Sequence, residues 1–595
     1  MATCVSSQLK YHHYQEINIG SPINFKCFQM KTNRRKFFKV MGAGTSLGFA
    51  APLSLISPEA SAQNNVAAKE EGQVLFIGDN VALANTLYGK VRGFRMKDIY
   101  SFLGIPYGAN TGGKNRFMPP QKPEPWKDVF PAVYWGNSAP QNLENFYANR
   151  YLAFTDDWHY DDVSEDCLRI NVWTPGVNDG KKRPVMFWIH GGGFTSGNAI
   201  EHPEYHGENF ARYGDVVFCS INHRLGPLGF ANFAGVAGER FAASGNVGML
   251  DIVSALEWVR DNVSNFGGDP NNVTIMGQSG GGSKVCTLMA MPSAKGLFHK
   301  AVALSGSLLK ATEKIDSEKL GAYILKEANL SPLEIHKLQD LPWKDYLTLA
   351  NNANKKLRED AGIPASAGPG IGGFRPVVDG VFLPQHPYFP EASSYSADVP
   401  MIICTTFYER SPSSFDSSME NITKEQAKEQ LKTTRGFGAS VGDNASAVYD
   451  AYEKSFPDRK PIEILSMAIS NRKNAIALAD AKSRQAAPVY MAWFGWNPPL
   501  FDGRLRAFHT LDICFWFYNT DRQLSHSGGG ARPRKLSEKM AGSLVQFMKT
   551  GNPNISGLPT WSRYTASQGE TMVLNDVSSV QNDPDREARK SLPSA

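Results

Sequence analysis

Three places in the 595-residue sequence set a serine between glycines in the order Gly-x-Ser-x-Gly: residues 44–48, 277–281 and 438–442. Such a serine can act as a nucleophile when it sits on a tight turn from strand to helix. The turn lifts the hydroxyl above the sheet edge, and glycines keep bulk out of the bend. The spacing alone is weak, as its threefold occurrence demonstrates. Only Gly277-Gln278-Ser279-Gly280-Gly281 has the context: it follows the apolar run 273–276, which reads as a strand, and precedes a helical pattern over 282–291. The chemistry open to Ser279 is attack on a carbonyl carbon.

A second segment suits the same reaction. Trp188-Ile189-His190-Gly191-Gly192-Gly193-Phe194 follows another strand pattern and carries three glycines in a row. Attack on an ester makes a tetrahedral intermediate whose oxygen becomes negative. Bare backbone N–H groups held around that oxygen stabilise it, and removing one such donor costs about 3 kcal/mol of barrier. The candidate donors are Gly192, Gly193 and, directly after the serine, Gly280. The other glycine triplet, Gly528-Gly529-Gly530, has no strand before it and reads as a surface turn.

With these motifs stand Tyr88-Gly89-Lys90-Val91, Phe102-Leu103-Gly104-Ile105-Pro106-Tyr107, Ser164-Glu165-Asp166-Cys167-Leu168-Arg169-Ile170-Asn171-Val172, Phe266-Gly267-Gly268-Asp269-Pro270 and Gly551-Asn552-Pro553-Asn554. Together they resemble the type B carboxylesterases, the family that includes cholinesterases and bacterial para-nitrobenzyl esterases. The resemblance covers nearly all of the chain after the first sixty residues. It implies an α/β-hydrolase fold: a large, mostly parallel central sheet flanked by helices, with helical insertions capping an active-site gorge. It also implies catalytic groups in the chain order serine, acid, histidine. Ile402-Ile403-Cys404-Thr405-Thr406-Phe407-Tyr408-Glu409 resembles the family's acid motif, and Ala507-Phe508-His509-Thr510-Leu511-Asp512-Ile513 its histidine motif. Glu409 would then orient His509, and His509 would take the Ser279 proton and return it to the leaving group.

The resemblance further implies structural ion pairs of Arg116 with Glu165 and of Arg224 with Asp251. It implies no cofactor and no metal, and a small-molecule ester as substrate. Two departures stand out. The family usually places glutamate before the serine and alanine after it, where this chain has Gln278 and Gly280. No cysteine lies between residue 63 and Cys167, so the bridge that many animal members make there has no partner. Trp158, among Asp156, Asp157, Asp161 and Asp162, lies near where cholinesterases keep a choline-binding tryptophan; a solvated acidic loop is the favoured reading. Neutral small or aryl esters are therefore the expected substrates. An amidase or carbamate hydrolase with the same three residues is the near alternative, and a non-catalytic binding or adhesion protein on this fold the distant one.

Around the chemistry, short apolar runs at 185–189, 216–221, 273–276, 301–304, 400–404 and 489–494 predict strands, several of them apolar on both faces, as strands covered by helices must be. Ile252, Leu256, Val259, Val263 and Phe266 fall at helical spacing, and 267–270 stops that helix. Residues 308–375 and 411–485 are richer in charge and helical pattern and are expected as the capping insertions. A single catalytic domain is expected over 76–587, after a flexible linker at 63–75 and before a polar tail at 588–595.

The first 62 residues read as an address. Asn33-Arg34-Arg35-Lys36-Phe37-Phe38-Lys39 is a twin-arginine pattern, followed by a Gly/Ala-rich apolar stretch and Ala60-Ser61-Ala62 before Gln63. This is a bacterial export signal, with cleavage expected at Ala62/Gln63, the twin-arginine machinery as partner and a periplasmic or secreted product. Met30 would give such a signal a normal length, so residues 1–29 are expected to precede the true start. A net charge of +5 in 595 residues lacks the dense basic face of a nucleic-acid binder. No long unbroken apolar run predicts a membrane span. Cys167, Cys219, Cys286, Cys404 and Cys514 show no zinc-site spacing and mostly sit in apolar contexts, as buried thiols do. His202 and His206 stand four apart, but the order is not His-Glu-x-x-His and Pro203 interrupts a helix; both read as structural.

Overall fold

The computed structural model describes residues 72–143, 150–156, 162–363, 372–434 and 441–593. Its main sheet has twelve strands, labelled in chain order. β1 (Leu75–Phe76), β2 (Phe94–Met96), β3 (Ile99–Pro106) and β4 (Arg169–Thr174) come first. β5 (Arg183–Ile189), β6 (Val217–Ile221), β7 (Gly268–Gln278) and β8 (Lys300–Leu304) follow. β9 (Met401–Thr406), β10 (Val489–Phe494), β11 (Glu570–Leu574) and β12 (Ser579–Asn582) complete it. The spatial order is β1-β2-β3-β4-β6-β5-β7-β8-β9-β10-β11-β12. From β6 to β11 every neighbouring pair is parallel. The pairs at both ends are antiparallel.

Parallel neighbours need crossovers, and crossover helices cover both faces. β5 displays the consequence: Val185, Phe187 and Ile189 pack into one core, while Met186 and Trp188 pack into the other. All six apolar runs singled out from the sequence fall on strands, although Val216 and Pro400 lie one residue outside theirs. β7 is longer than its run, because it already begins at Gly268, in the segment expected only to stop a helix. That helix, α1 (Val247–Asn262), buries Ile252, Leu256 and Val259. The helix after the serine, α2 (Gly280–Leu288), starts two residues before the expected position, directly at Ser279.

The insertions contain α3 (Lys314–Glu327) and α4 (Trp343–Asp360), which pack on each other. The later one holds α5 (Lys424–Thr433), α6 (Ala445–Ser455), α7 (Pro461–Ala468) and α8 (Arg472–Lys482). Here the expected boundary needs correcting. α8 packs against β9 and β10, so it is the crossover joining them rather than part of a cap. Two outer boundaries also move. Leu75, placed in the linker, pairs with Met96. The tail expected from 588 begins inside a helix, α10 (Arg586–Lys590), where Ala588 is buried and Arg589 bridges Asp583 and Asp585.

Both ion pairs form. Arg116 meets Glu165 at 2.6 Å and Arg224 meets Asp251 at 2.6 Å, nearly sealed from solvent. The five described cysteines are free and buried. Gly528-Gly529-Gly530 makes the turn between the helix Leu524–Ser527 and α9 (Ala531–Thr550). No helix among the described residues is long and apolar enough to cross a membrane. The export segment, the serine motif at 44–48, Ser440, and Trp158 with Asp157 and Asp161 lie outside the described residues.

Candidate active site

Ser279 stands between the end of β7 and the start of α2, with φ 55° and ψ −122°. A serine at positive φ is strained, and the surroundings hold it there. Its N–H donates to the Leu304 carbonyl at 2.8 Å, and its carbonyl accepts from Ser283 N–H at 3.0 Å. A side chain at Gly281 would run into the Ile189 carbonyl, so the elbow can bend this sharply only with glycine there.

Glu409 follows β9 on a loop, also at positive φ (52°), and is 1 % exposed. One carboxylate oxygen accepts from Ser305 Oγ at 2.7 Å and from Thr406 N–H at 3.1 Å. The other lies 2.5 Å from His509 Nδ1. The backbones are tied as well: His509 N–H donates to the Glu409 carbonyl at 2.7 Å, and Gln278 Nε2 donates to the His509 carbonyl at 2.5 Å. The residue before the serine thus clamps the histidine loop, so the hydrogen-bonded Glu409–His509 pair is tied to the strand that ends at Ser279, above the ends of β7, β8 and β9.

The glycine loop runs beside them. Gly192 and Gly193 adopt positive φ (77° and 64°), and among the described residues their N–H groups donate to nothing. Gly193 lies so close to Gly280 that a side chain at 280 would strike the Gly193 backbone. A Cβ on Gly191 would stand 3.6 Å from Ser279 Cβ. The three expected donors therefore share one small space next to the serine.

Three further residues belong to this site and were not singled out in the sequence. Lys284, fully buried on α2, donates from Nζ to the carbonyls of His190 (3.1 Å) and Gly191 (3.4 Å), anchoring the glycine loop from below. Burial pushes its pKa down to about 7. The sequence held a signal: Lys284 is the only charged residue in an otherwise small and apolar helix. Asp512, three residues after His509, accepts from Trp516 Nε1 at 3.2 Å and meets the Cys404 thiol. Burial first, then the Glu409 charge, pushes its carboxyl up to about 8. Ser305, the third, ends β8 and is visible only through the sheet order. Nearby, burial pushes His190 and His223 well below the ordinary histidine value, and their rings lie 4.6 Å apart.

The two histidines flagged as a pair separate. His206 packs against Trp135 and Trp173, and burial pushes its pKa down to about 3. His202 meets Glu204 and His526 instead.

The chain matches the model of the carboxylesterase family over residues 80–591. It is 34% identical to a para-nitrobenzyl esterase of Bacillus subtilis (strain 168) over 518 residues, covering 86% of this chain and 98% of that protein. A phenmedipham hydrolase of Pseudarthrobacter oxydans is 31% identical, with 83% and 95% covered. Among solved structures, a Clostridium hathewayi esterase described as able to hydrolyse aliphatic aromatic polyesters superposes with a TM-score of 0.74 at 32% identity, over 87% of this chain and 99% of that one. The shared sheet, the serine elbow and these matches lead to one statement: the chain belongs to the carboxylesterase family, and it is a serine carboxylesterase of the α/β-hydrolase fold.

Proposed function

We propose that Ser279, His509 and Glu409 carry out ester hydrolysis through an acyl-enzyme. Ser279 Oγ attacks the ester carbonyl while its proton passes to His509. Glu409, on the opposite ring nitrogen, fixes the imidazole and stabilises the cation that forms. The tetrahedral oxyanion takes N–H donors from Gly192, Gly193 and Gly280. On collapse the C–O bond to the alcohol breaks, and His509 returns its proton to the departing alkoxide. Water then attacks the acyl-enzyme by the same route and releases the acid and free Ser279. The observation that carries this reading is the 2.5 Å contact of His509 Nδ1 with a buried Glu409 carboxylate whose other oxygen is already held.

Neutral small or aryl esters are the proposed substrates. Gln278 removes the negative charge that the family usually sets beside the serine, and its amide is used on the His509 loop. Relatives named for a para-nitrobenzyl ester and for aliphatic aromatic polyesters support the same class. The test is a panel of esters, amides and carbamates with Ser279→Ala as control. Aryl esters should lead, with an isosteric choline ester at least ~10-fold lower in kcat/KM. Ser279→Ala should lose at least ~10³-fold in kcat with its fold retained. A near wild-type rate in that variant, or covalent labelling by a serine-directed phosphonate elsewhere, would overturn the assignment.

We also infer export by the twin-arginine route, supported by Arg34-Arg35 and the Ala60-Ser61-Ala62 end of the segment. Replacing both arginines with lysine should leave precursor in the cytoplasm, and mature chains should begin near Gln63. Unchanged export would refute it.

A further inference from the structure

Away from the serine, three ligating side chains from distant parts of the chain meet in the interior. His202 and Glu204 flank Pro203 at the 3-10 turn Pro203–Tyr205, while His526 comes from the helix Leu524–Ser527. Glu204 and His526 are sealed from solvent, and His202 is nearly so. His526 Nδ1 lies 3.4 Å from one Glu204 oxygen, and His202 Nδ1 lies 3.9 Å from the other. One ligand atom from each of the three falls within 4.8 Å of the other two.

We propose that His202, Glu204 and His526 bind one divalent ion of the zinc class as a structural site. Two imidazoles and one carboxylate form a ligand set that zinc accepts, with a water completing the four-coordinate shell. Bonds of about 2.1 Å to a tetrahedral ion place ligand atoms about 3.4 Å apart. The His526–Glu204 separation already has this length, and the remaining ligand atoms lie within 4.8 Å. Among the described residues Glu204 pairs with no Arg or Lys, so no side-chain cation occupies the place an ion would take. The sequence could not signal this cluster, since His526 lies more than three hundred residues after Glu204.

The site has a place in the molecule. Asn519 Nδ2 donates to the Glu204 carbonyl at 2.7 Å, and the Phe508 ring meets the His526 ring edge-on at 4.9 Å. Phe508 immediately precedes His509. A bound ion would join the 203–205 turn to the 524–527 helix and stiffen the support of the histidine loop.

The test needs no knowledge of substrate. The purified mature chain is stripped with a chelator and checked for native circular dichroism. It is then incubated with Zn²⁺ or Co²⁺, desalted and assayed by elemental mass spectrometry. About one ion per chain should remain, the Co²⁺ form should show the intense visible bands of four-coordinate cobalt, and Tm should rise by about 2 °C at 100-fold excess over Kd. Glu204→Gln and His526→Ala should each weaken binding at least tenfold, whereas His206→Ala should leave the stoichiometry unchanged. Wild-type protein that emerges without metal, or binding that survives both ligand substitutions, would overturn the proposal. The wild-type stoichiometry and cobalt spectrum decide it even if a variant fails to fold. Neither reading depends on Ser279, so failure here leaves the esterase mechanism standing.

Discussion

Around His509 two carboxyls stand in contrasting settings. Glu409 is tied by Ser305, Thr406 and the imidazole, while Asp512 is buried against Trp516 and the Cys404 thiol and is pushed up to about 8 from an ordinary 3.8. Keeping Asp512 neutral near pH 7 avoids a second charge behind the histidine, and the proton has a thermodynamic signature. Between pH of about 4 and about 8 the folded chain holds it and the unfolded chain does not. The stability from this group is therefore complete below about pH 4 and is lost as pH rises through about 8. Asp512→Asn keeps a carbonyl acceptor for Trp516 and removes the titration. Its Tm should gain on wild type as pH is raised from about 5 to about 9, measured by calorimetry. A difference constant across that range would show that Asp512 does not titrate as stated.

In the proposed mechanism the reacting element is the elbow together with the loop pressed against it. In this chain Gly193 approaches Gly280 so closely that no side chain fits between them, although the family usually carries alanine at the second position. The glycine loop occupies the space a Cβ at residue 280 would take, and Lys284 ties that loop by two carbonyls. Gly280→Ala should force the loop outward and displace an oxyanion donor. The expected outcome is a fall in kcat of about tenfold or more with KM little changed. Wild-type kcat in this variant would mean that the loop yields without disturbing its N–H groups.

For the whole molecule, the crossovers are pinned by buried ion pairs. Arg224, just after β6, donates from Nε at 2.8 Å and from its terminal nitrogen at 2.6 Å to Asp251 on α1, and its remaining nitrogen reaches the Met118 carbonyl. Arg224→Met would leave the Asp251 charge buried and unpaired, at a cost of about 3–5 kcal/mol. Urea unfolding should register that loss, and adding Asp251→Leu should recover much of it. No recovery in the double variant would mean that the pair matters through the Met118 contact instead.

The sequence by itself determined the local features. Apolar runs marked the parallel strands because strands buried on both faces have no polar side to show, and the strand–glycine–helix context chose Ser279 among three matching motifs. Glu409 and His509 were legible only through resemblance, since nothing local separates them from any other glutamate and histidine. Tertiary structure decided what depends on contact between remote segments. It placed Ser305 and Thr406 on the Glu409 carboxylate and Lys284 under the glycine loop, and it assigned α8 to the sheet rather than the cap. It also parted His202 from His206 and joined it to Glu204 and His526. Spacing along a chain constrains neighbours within a turn or a strand; burial and pairing between elements are fixed only when the sheet order brings their ends together.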